Sequence, residues 1–436
     1  IIRFMNIRLL LVSLLCSLSL SMMAISPSEK QVKELQKSHR IITFGDGLEA
    51  DSVTKLDMIN QFYYDQFRNF QDPQAPYFML MSKDAQLAMG MGGLVRMRGW
   101  YDWGGALNNS GFAPYDISIP TNPARDRWLG STPSGTAFFV RVIGHDKKYG
   151  NYQLYIEANF NGYSSRDFHL KKAYVQYNDW TLGYANSSFS DPSAQPPTVD
   201  AQGPNSEISD TNVLLRWMRT FKTNWVVAAS IESPDAQVDA DGTTTSTRSN
   251  YLPNFAAFGQ YEWGAGQHIR LSGIIRGLPY RDLVNGTNHT VVGWGAHVSS
   301  IFRVVDPLTV YASFNAGKGY QSLTNDLQMT PLDLIDDPDT KGKMYAPFSL
   351  GWYGALQYHF RPNLFSTIMF SEMRFLPKQE MADMTYKYGL YATANVFWNP
   401  TPRVQFGAEV NLGKRQNNDG QHRWARRACL MAQFSF

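Results

Sequence analysis

From Gln86 to Phe436 the side chains follow a period of two, not the three- and four-residue spacing of a helix. The runs fall near 86–103, 136–146, 150–162, 168–178, 180–186, 211–220, 223–232, 254–263, 266–277, 291–302, 307–317, 347–360, 363–373, 386–399, 402–415 and 425–436. The connections between them alternate in length. "DKKYGN", "YNDW", "FKTN", "WGAG", "VVDP", "FRPN" and "NPTP" are tight turns. Between these lie long polar segments at 104–135, 187–210, 233–253, 278–290, 318–346, 374–385 and 416–424, with only the stretch near 163–167 short. In an antiparallel meander this rhythm puts every tight turn at one rim and every long loop at the other. It predicts an all-β chain, a transmembrane antiparallel β-barrel of about 16 strands. Brief turns would face the periplasm, and long loops the exterior.

The last residues, "ACLMAQFSF", fit that reading. Ala428, Leu430, Ala432, Phe434 and Phe436 alternate with Cys429, Met431, Gln433 and Ser435. An apolar strand end is a liability in water, but not on a strand that closes a barrel against the first and faces lipid. Trp180, Trp225, Trp263 and Trp398 fall beside tight turns, as an interfacial girdle requires. Mean hydropathy is −0.33, too polar for a bundle of membrane helices. Aromatic residues make up 14%, which suits many strands. A net charge of +3 gives no support for nucleic acid as a partner.

Residues 1–84 read differently. "MNIRLLLVSLLCSLSLSMMA" from Met5 has a basic start at Arg8, an apolar core over Leu9–Leu20 and a small residue at Ala24. It predicts a signal peptide over 1–24. Cys16 follows Leu15 and so lacks the small residue before a lipid-modified cysteine; after cleavage only Cys429 remains. An N-terminal periplasmic segment over 25–84 would carry a helix near 52–72, capped by Asp51 or Ser52 and closed by Pro73. Val53, Leu56, Ile59, Tyr63, Phe67 and Phe70 form its predicted apolar stripe, packed on the rest of the protein or serving as a plug or an oligomer contact. The barrel domain would span 85–436.

Alternation also assigns the lumen. In "GGLVRMRGWYDW" Arg96 and Arg98 share a face with Trp100 and Asp102, opposite Val95, Met97 and Tyr101. Arginines facing hydrocarbon would cost roughly 2–4 kcal/mol each near the midplane. The same parity turns Arg141, Lys172, Arg216, Arg270 and Arg276 inward, with Glu157, Glu232 and Glu409 as inward acids. The surplus of cations predicts pore-lining residues that favour small anionic solutes. The alternative is that these charges pair and stiffen the wall. The loop at 187–210 holds four prolines and the acids Asp191, Asp200, Glu207 and Asp210. It is the candidate constriction loop, against the alternative of an ordinary surface loop.

The segments "FVRVIGHDKKYGNYQLYIEANFNG", "LKKAYVQYNDWTLGYANSSFSD" with "PPTVDAQGP", "GQYEWGAGQHIRLSGIIRGL" and "VFWNPTPRVQFGAEVNLGKRQNNDG" resemble the DcaP-like outer-membrane porins over roughly 86–436. The most specific pieces surround Phe189, Asp191, Thr198, Asp200 and Gly203-Pro204, and the hairpin ending at Gly413-Lys414-Arg415. The resemblance implies a homotrimer of sixteen-stranded barrels in the outer-membrane lipid. It also implies passage of small anions such as dicarboxylates, and a Phe436 read by the barrel-assembly machinery. Members of that family carry a longer coiled-coil lead, whose heptads are nearly absent here. No cofactor motif is present: "GMGGLV" precedes no helix, and no Cys/His cluster has zinc spacing. A barrel enzyme is the rival class, but His145, His169 and His297 form no recognisable nucleophile–base pattern. A surface adhesin is a third.

Overall fold

A computed structural model describes residues 40–46, 48–63, 78–105, 107, 109–146, 150–160, 167–264, 266–328, 330–378 and 385–436. The segment read as a signal peptide, and Phe67 and Phe70 of the predicted stripe, lie outside the described residues.

Sixteen wall strands follow one another antiparallel, from the first, Leu87–Trp103, to the last, His422–Ser435. The last pairs with the first from Arg426↔Trp103 to Ser435↔Leu94, closing the ring. Phe436 completes the seam: its N–H donates to Gly93 O at 2.9 Å and its carbonyl accepts from Gly93 N at 3.0 Å. The fold is a closed sixteen-stranded antiparallel β-barrel. Closure pairs the edge strands with each other, the condition for a sheet surrounded by hydrocarbon.

Three sequence boundaries differ from the structure. The segment 278–290 is not a loop: strands Gln267–Asp282 and Thr287–Val305 continue as a hairpin, with Tyr280 opposite His289. Thr, Tyr and His there keep strand propensity while losing the apolar face, because the hairpin has left the lipid. Asp282 tightens its turn by accepting from Val284 and Asn285 N–H at 2.8 and 3.0 Å. Within 104–135, Arg127–Thr132 is an outer piece of the second wall strand, whose main piece is Ala137–Asp146. The last strand begins at His422, three residues before its expected start.

The outer face is apolar, with Val95, Met97, Leu182, Leu271, Ile368 and Leu430 at 50–68% exposure. Trp180, Trp225 and Trp398 are about half exposed at the tight-turn rim. Tyr261 lies between Trp225 and Trp263, with ring centroids 4.8 and 6.0 Å away. These rings form the girdle that an amphipathic aromatic prefers at the headgroup level.

Before the barrel, Ile41–Phe44 pairs parallel with Phe78–Ser82, which pairs antiparallel with the start of the first wall strand. The helix Ser52–Tyr63 is capped by Asp51, whose Oδ1 accepts from Thr54 N–H at 2.7 Å. Its buried face is Met58, Ile59 and Phe62, packed on Met79, Met81, Ala88 and Ile143. The stripe is therefore rotated from the expected one: Val53 is 44% exposed, and of the predicted set Ile59 is fully buried. Methionine and phenylalanine decide the face because the surface they meet is methionine-rich and deformable. Ala88 and Ile143 belong to the barrel's inner face, so the helix seats inside the tight-turn mouth.

Replacing Leu430 by Arg is expected to destabilise the barrel by about 2–4 kcal/mol. Reversible urea unfolding in phospholipid vesicles measures it. A loss below about 0.5 kcal/mol would mean that this face does not contact hydrocarbon.

Candidate functional site

The lumen is built by the inner parity of the wall and by loops that fold back into it. Asp191, Asp200, Glu207 and Asp210 lie inside the barrel, carried by residues 187–210. The loop is fixed to many strands. Ser187 Oγ and Ser188 N–H donate to Glu232 at 2.7 and 2.9 Å. Tyr353 OH donates to Ala194 O at 3.1 Å, and Asn395 Nδ2 to Pro197 O at 2.9 Å. Val199 and Asp200 N–H donate to the two oxygens of Glu409 at 2.7 and 2.9 Å. Asn315 Nδ2 donates to Ser206 O at 2.8 Å. Glu232 and Glu409 thus receive loop backbone N–H groups, which would otherwise be costly to bury.

Three inward cations, Arg270, Arg276 and Arg427, are paired with carboxylates of this loop or its neighbours. Arg270 Nη1 is 3.3 Å from Asp191 Oδ1, and Asp191 Oδ2 also meets His268 Nε2 at 2.8 Å and Ser299 Oγ at 2.6 Å. Burial alone would raise the Asp191 carboxyl; Arg270, His268 and Ser299 outweigh it and hold it well below the usual carboxylate range. Arg276 is paired with Asp235 at 2.7 Å and Asp333 at 3.0 Å. Arg427 holds Asp102 at 2.6 Å and approaches Asp200 at 3.6 Å. Burial raises the Asp200 carboxyl despite Arg427.

Arg141 and Arg216 also donate to neutral groups. Arg141 donates to Phe62 O at 2.6 Å and to Gln153 Oε1 at 2.9 Å, tying the N-terminal helix to the wall. Arg216 donates to Asn186 O at 3.0 Å. A bulge opposite Glu157 brings Lys171 to its Oε1 at 2.8 Å, beside the buried Lys172.

Arg96 and Arg98 differ from all of these. Both are half-buried on the inner face, and neither has a carboxylate within ion-pair distance among the described residues. Arg96 Nε donates to Gln433 Oε1 at 2.7 Å, and Arg98 Nη1 to Ser134 O at 3.1 Å. The break between the two pieces of the second wall strand holds them. Thr136 Oγ1 accepts from Arg96 N–H at 3.0 Å. Gly135, at φ 89°, leaves room for both guanidinium groups; a Cβ there would sit 3.1 and 3.3 Å from their Nη1 atoms. Gln195, Thr198, Gln202 and Gln433 are other inward polar residues that keep part of their surface open.

The interior is not the uniformly water-filled channel expected for so wide a barrel. Phe112, Ile117, Tyr353 and Tyr391 form one buried cluster; Phe189, Ile208, Tyr320 and Leu323 form another. These join loops 104–126, 187–210 and 319–347 to inward aromatic residues, because each loop carries its own apolar anchors into the lumen. Sequence reading places Asp102 on the inner face but misses its partner Arg427, and also Lys171, His268, Ser299, Asp235 and Asp333. For Arg427 the signal is present, since Ala428 and Leu430 face outward and put 427 on the inner parity. For Asp235 and Asp333, in irregular loops, no periodicity points inward.

A Ser–His contact does form, Ser313 Oγ to His297 Nε2 at 3.0 Å, but both side chains are buried. His297 Nδ1 faces Phe189 O at 3.1 Å, so no carboxylate orients the ring as a catalytic base requires.

A closed wall, an apolar outer belt, aromatic rims and a polar lumen crossed by an inward loop define a transmembrane β-barrel of the outer-membrane kind. Its fold is similar to the solved outer membrane channel DcaP of Acinetobacter baumannii: TM-score 0.69 at 20% identity, over 81% of this chain and 98% of that one. It is also similar, more distantly, to outer-membrane expressed OmpT of Vibrio cholerae: TM-score 0.50 at 9% identity, over 80% of this chain and 98% of that one. No family model matches the chain, and no curated protein does.

Burial raises the Glu207 carboxyl to about 8 from an ordinary 4.5. Its neutral form is therefore favoured where it is docked. The Glu207 contribution to docking is complete below pH 4.5, falls as pH rises from there towards 8, and is lost above 8. Single-channel conductance is expected to change as pH rises from 4.5 to about 8 in the wild type, and to change less in Glu207→Gln. An equal pH response in the variant would remove Glu207 as the cause. Asp191→Ala leaves Arg270 buried without its carboxylate and is expected to cost about 3–5 kcal/mol in unfolding experiments, with a larger or noisier conductance.

Proposed function

We propose that this chain is an outer-membrane porin for passive diffusion of small hydrophilic solutes, with a preference for anions. The observation that carries the reading is the contrast within the lumen. Arg270, Arg276 and Arg427 are neutralised by carboxylates, whereas Arg96 and Arg98 stay partly open and have no carboxylate at ion-pair distance among the described residues. Two guanidinium groups two residues apart on one strand face project about 6.6 Å apart. A small dicarboxylate can bridge that spacing, with Gln433, Gln195 and Thr198 supplying neutral hydrogen bonds. Residues 187–210 act as the constriction that brings solutes past this pair. Lys172, Arg141 and Arg216 extend the positive wall; Glu157, Glu232 and Glu409 serve as anchors. The resemblance to DcaP-like porins supports the same class, a homotrimeric assembly, and recognition of Phe436 by the barrel-assembly machinery.

Recording in planar bilayers with a roughly tenfold potassium chloride gradient tests the reading. The reversal potential should carry the sign of chloride preference. In Arg96→Gln/Arg98→Gln the anion-to-cation permeability ratio should fall roughly tenfold or more, and succinate should no longer block chloride current. Cation preference in the wild type would overturn the assignment. Lipid hydrolysis without conductance would favour the enzyme class instead.

A further inference from the structure

The outer wall carries one feature that transport does not use. At the long-loop rim, on the lipid-facing parity, Arg374, Lys414 and Arg426 lie on the thirteenth, fifteenth and sixteenth wall strands. Their outward direction is fixed by their neighbours: Met373 and Phe375, Gly413, and Ala425 and Arg427 all face the lumen. The register brings the three into one patch. Arg374 is opposite Tyr388, Lys414 is opposite Trp424, and Arg426 is the next outward residue after Trp424. Arg374 and Lys414 converge on one ring: Cζ and Nζ lie 5.3 and 5.2 Å from the Tyr388 centroid. Lys414 also donates to Tyr388 OH at 2.8 Å and to Gln416 Oε1 at 3.2 Å. Glu372 pairs with Arg374. Glu372 is the one carboxylate found in ion-pair contact with the three cations among the described residues. Ile231, Phe255, Ile275 and Trp294, outward positions elsewhere near that rim, are apolar, and Lys318 is a single outward cation beside Trp294.

Below Lys414 and Arg426, towards mid-membrane, the fifteenth and sixteenth strands together with the fourteenth and the first form an apolar groove of about 640 Å³. Its floor is Gly99, Ala408 and Ala428, and its sides include Tyr101, Val410 and Leu430. Ala428 is one outward step from Arg426, about 6.6 Å along the strand. A cluster of net positive charge above an acyl-sized trough of small side chains is complementary to one kind of molecule.

We propose that this patch is a binding site for a phosphorylated lipid of the leaflet at the long-loop rim. Arg374, Lys414 and Arg426 hold the phosphate, Tyr388 and Gln416 orient the lysine, and an acyl chain lies over Ala408 and Ala428. Phosphate favours such a cluster because guanidinium binds its oxygens in pairs and the ammonium adds a point charge. Near a membrane surface each cation adds about fivefold to the binding of an anionic headgroup, so the three together supply about a hundredfold.

Native mass spectrometry of the detergent-solubilised full-length protein tests the site. Dioleoyl phosphatidic acid is titrated against dioleoylglycerol and dioleoyl phosphatidylcholine. The wild type should retain phosphatidic acid preferentially. Arg374→Gln/Lys414→Gln/Arg426→Gln should weaken that binding about a hundredfold and leave dioleoylglycerol unchanged. Lys318→Gln, an outward cation on another sector, should have no effect. Ala428→Phe, which fills the trough and keeps all three charges, should also weaken phosphatidic acid; should the triple variant fail to fold, this variant and Arg426→Gln alone carry the test. Equal retention of the three lipids overturns the proposal. So does displacement by millimolar inorganic phosphate with no effect of Ala428→Phe, which would leave a free-phosphate site. A wild type that retains no phosphatidic acid, while the triple variant loses its oligomer, overturns it in favour of a contact between copies.

Discussion

The closing seam between the first and last wall strands is the interaction on which everything else depends. Inside hydrocarbon an unpaired N–H or C=O costs several kcal/mol, so a sheet there must have no free edge. The pairing from Leu94 to Trp103 with Arg426 to Ser435, finished by Phe436 on Gly93, meets that requirement. Once the ring is closed, parity along each strand becomes absolute. Val95 must face lipid and Arg96 must face the lumen, because a slip by one residue would exchange the two solvents for every side chain of the strand.

A wide ring has a second problem, an interior too large for wall side chains to fill. Here the loops solve it. Residues 187–210 cross the lumen and present backbone groups to Glu232 and Glu409, while Asp191 meets Arg270. Buried charges of this sort add little net stability over an apolar packing of the same shape, but removing one partner strands the other. They set one docked arrangement for the loop and cancel the field at those places. Arg96 and Arg98 stay partly open to the lumen, and there Gly135 and Ser134 hold the guanidinium groups by backbone geometry and not by opposite charge.

Strand number, strand direction, rim assignment and the inner or outer side of Arg96, Arg141, Arg216, Arg270 and Arg276 are legible in the residue order, because each follows from a count of two along a local run. Legibility fails where locality fails. The apolar stripe of Ser52–Tyr63 is rotated from the periodic one, since both candidate stripes contain Ile59 and only the partner surface of Met79, Met81 and Ile143 selects between them. The hairpin through Tyr280 and His289 reads as a loop because strands above the membrane no longer show an apolar face.

The sequence alone determined that this chain forms a closed barrel with oil outside and polar groups inside, because the pleat of a strand sends successive side chains to opposite faces whatever lies far away. Tertiary structure alone decided which lumenal charges remain open. Asp102 and Arg427 are 325 residues apart, and Val199 and Glu409 are 210 apart. No periodicity connects such pairs; they meet because closure of the ring and the inward fold of the loops bring them together.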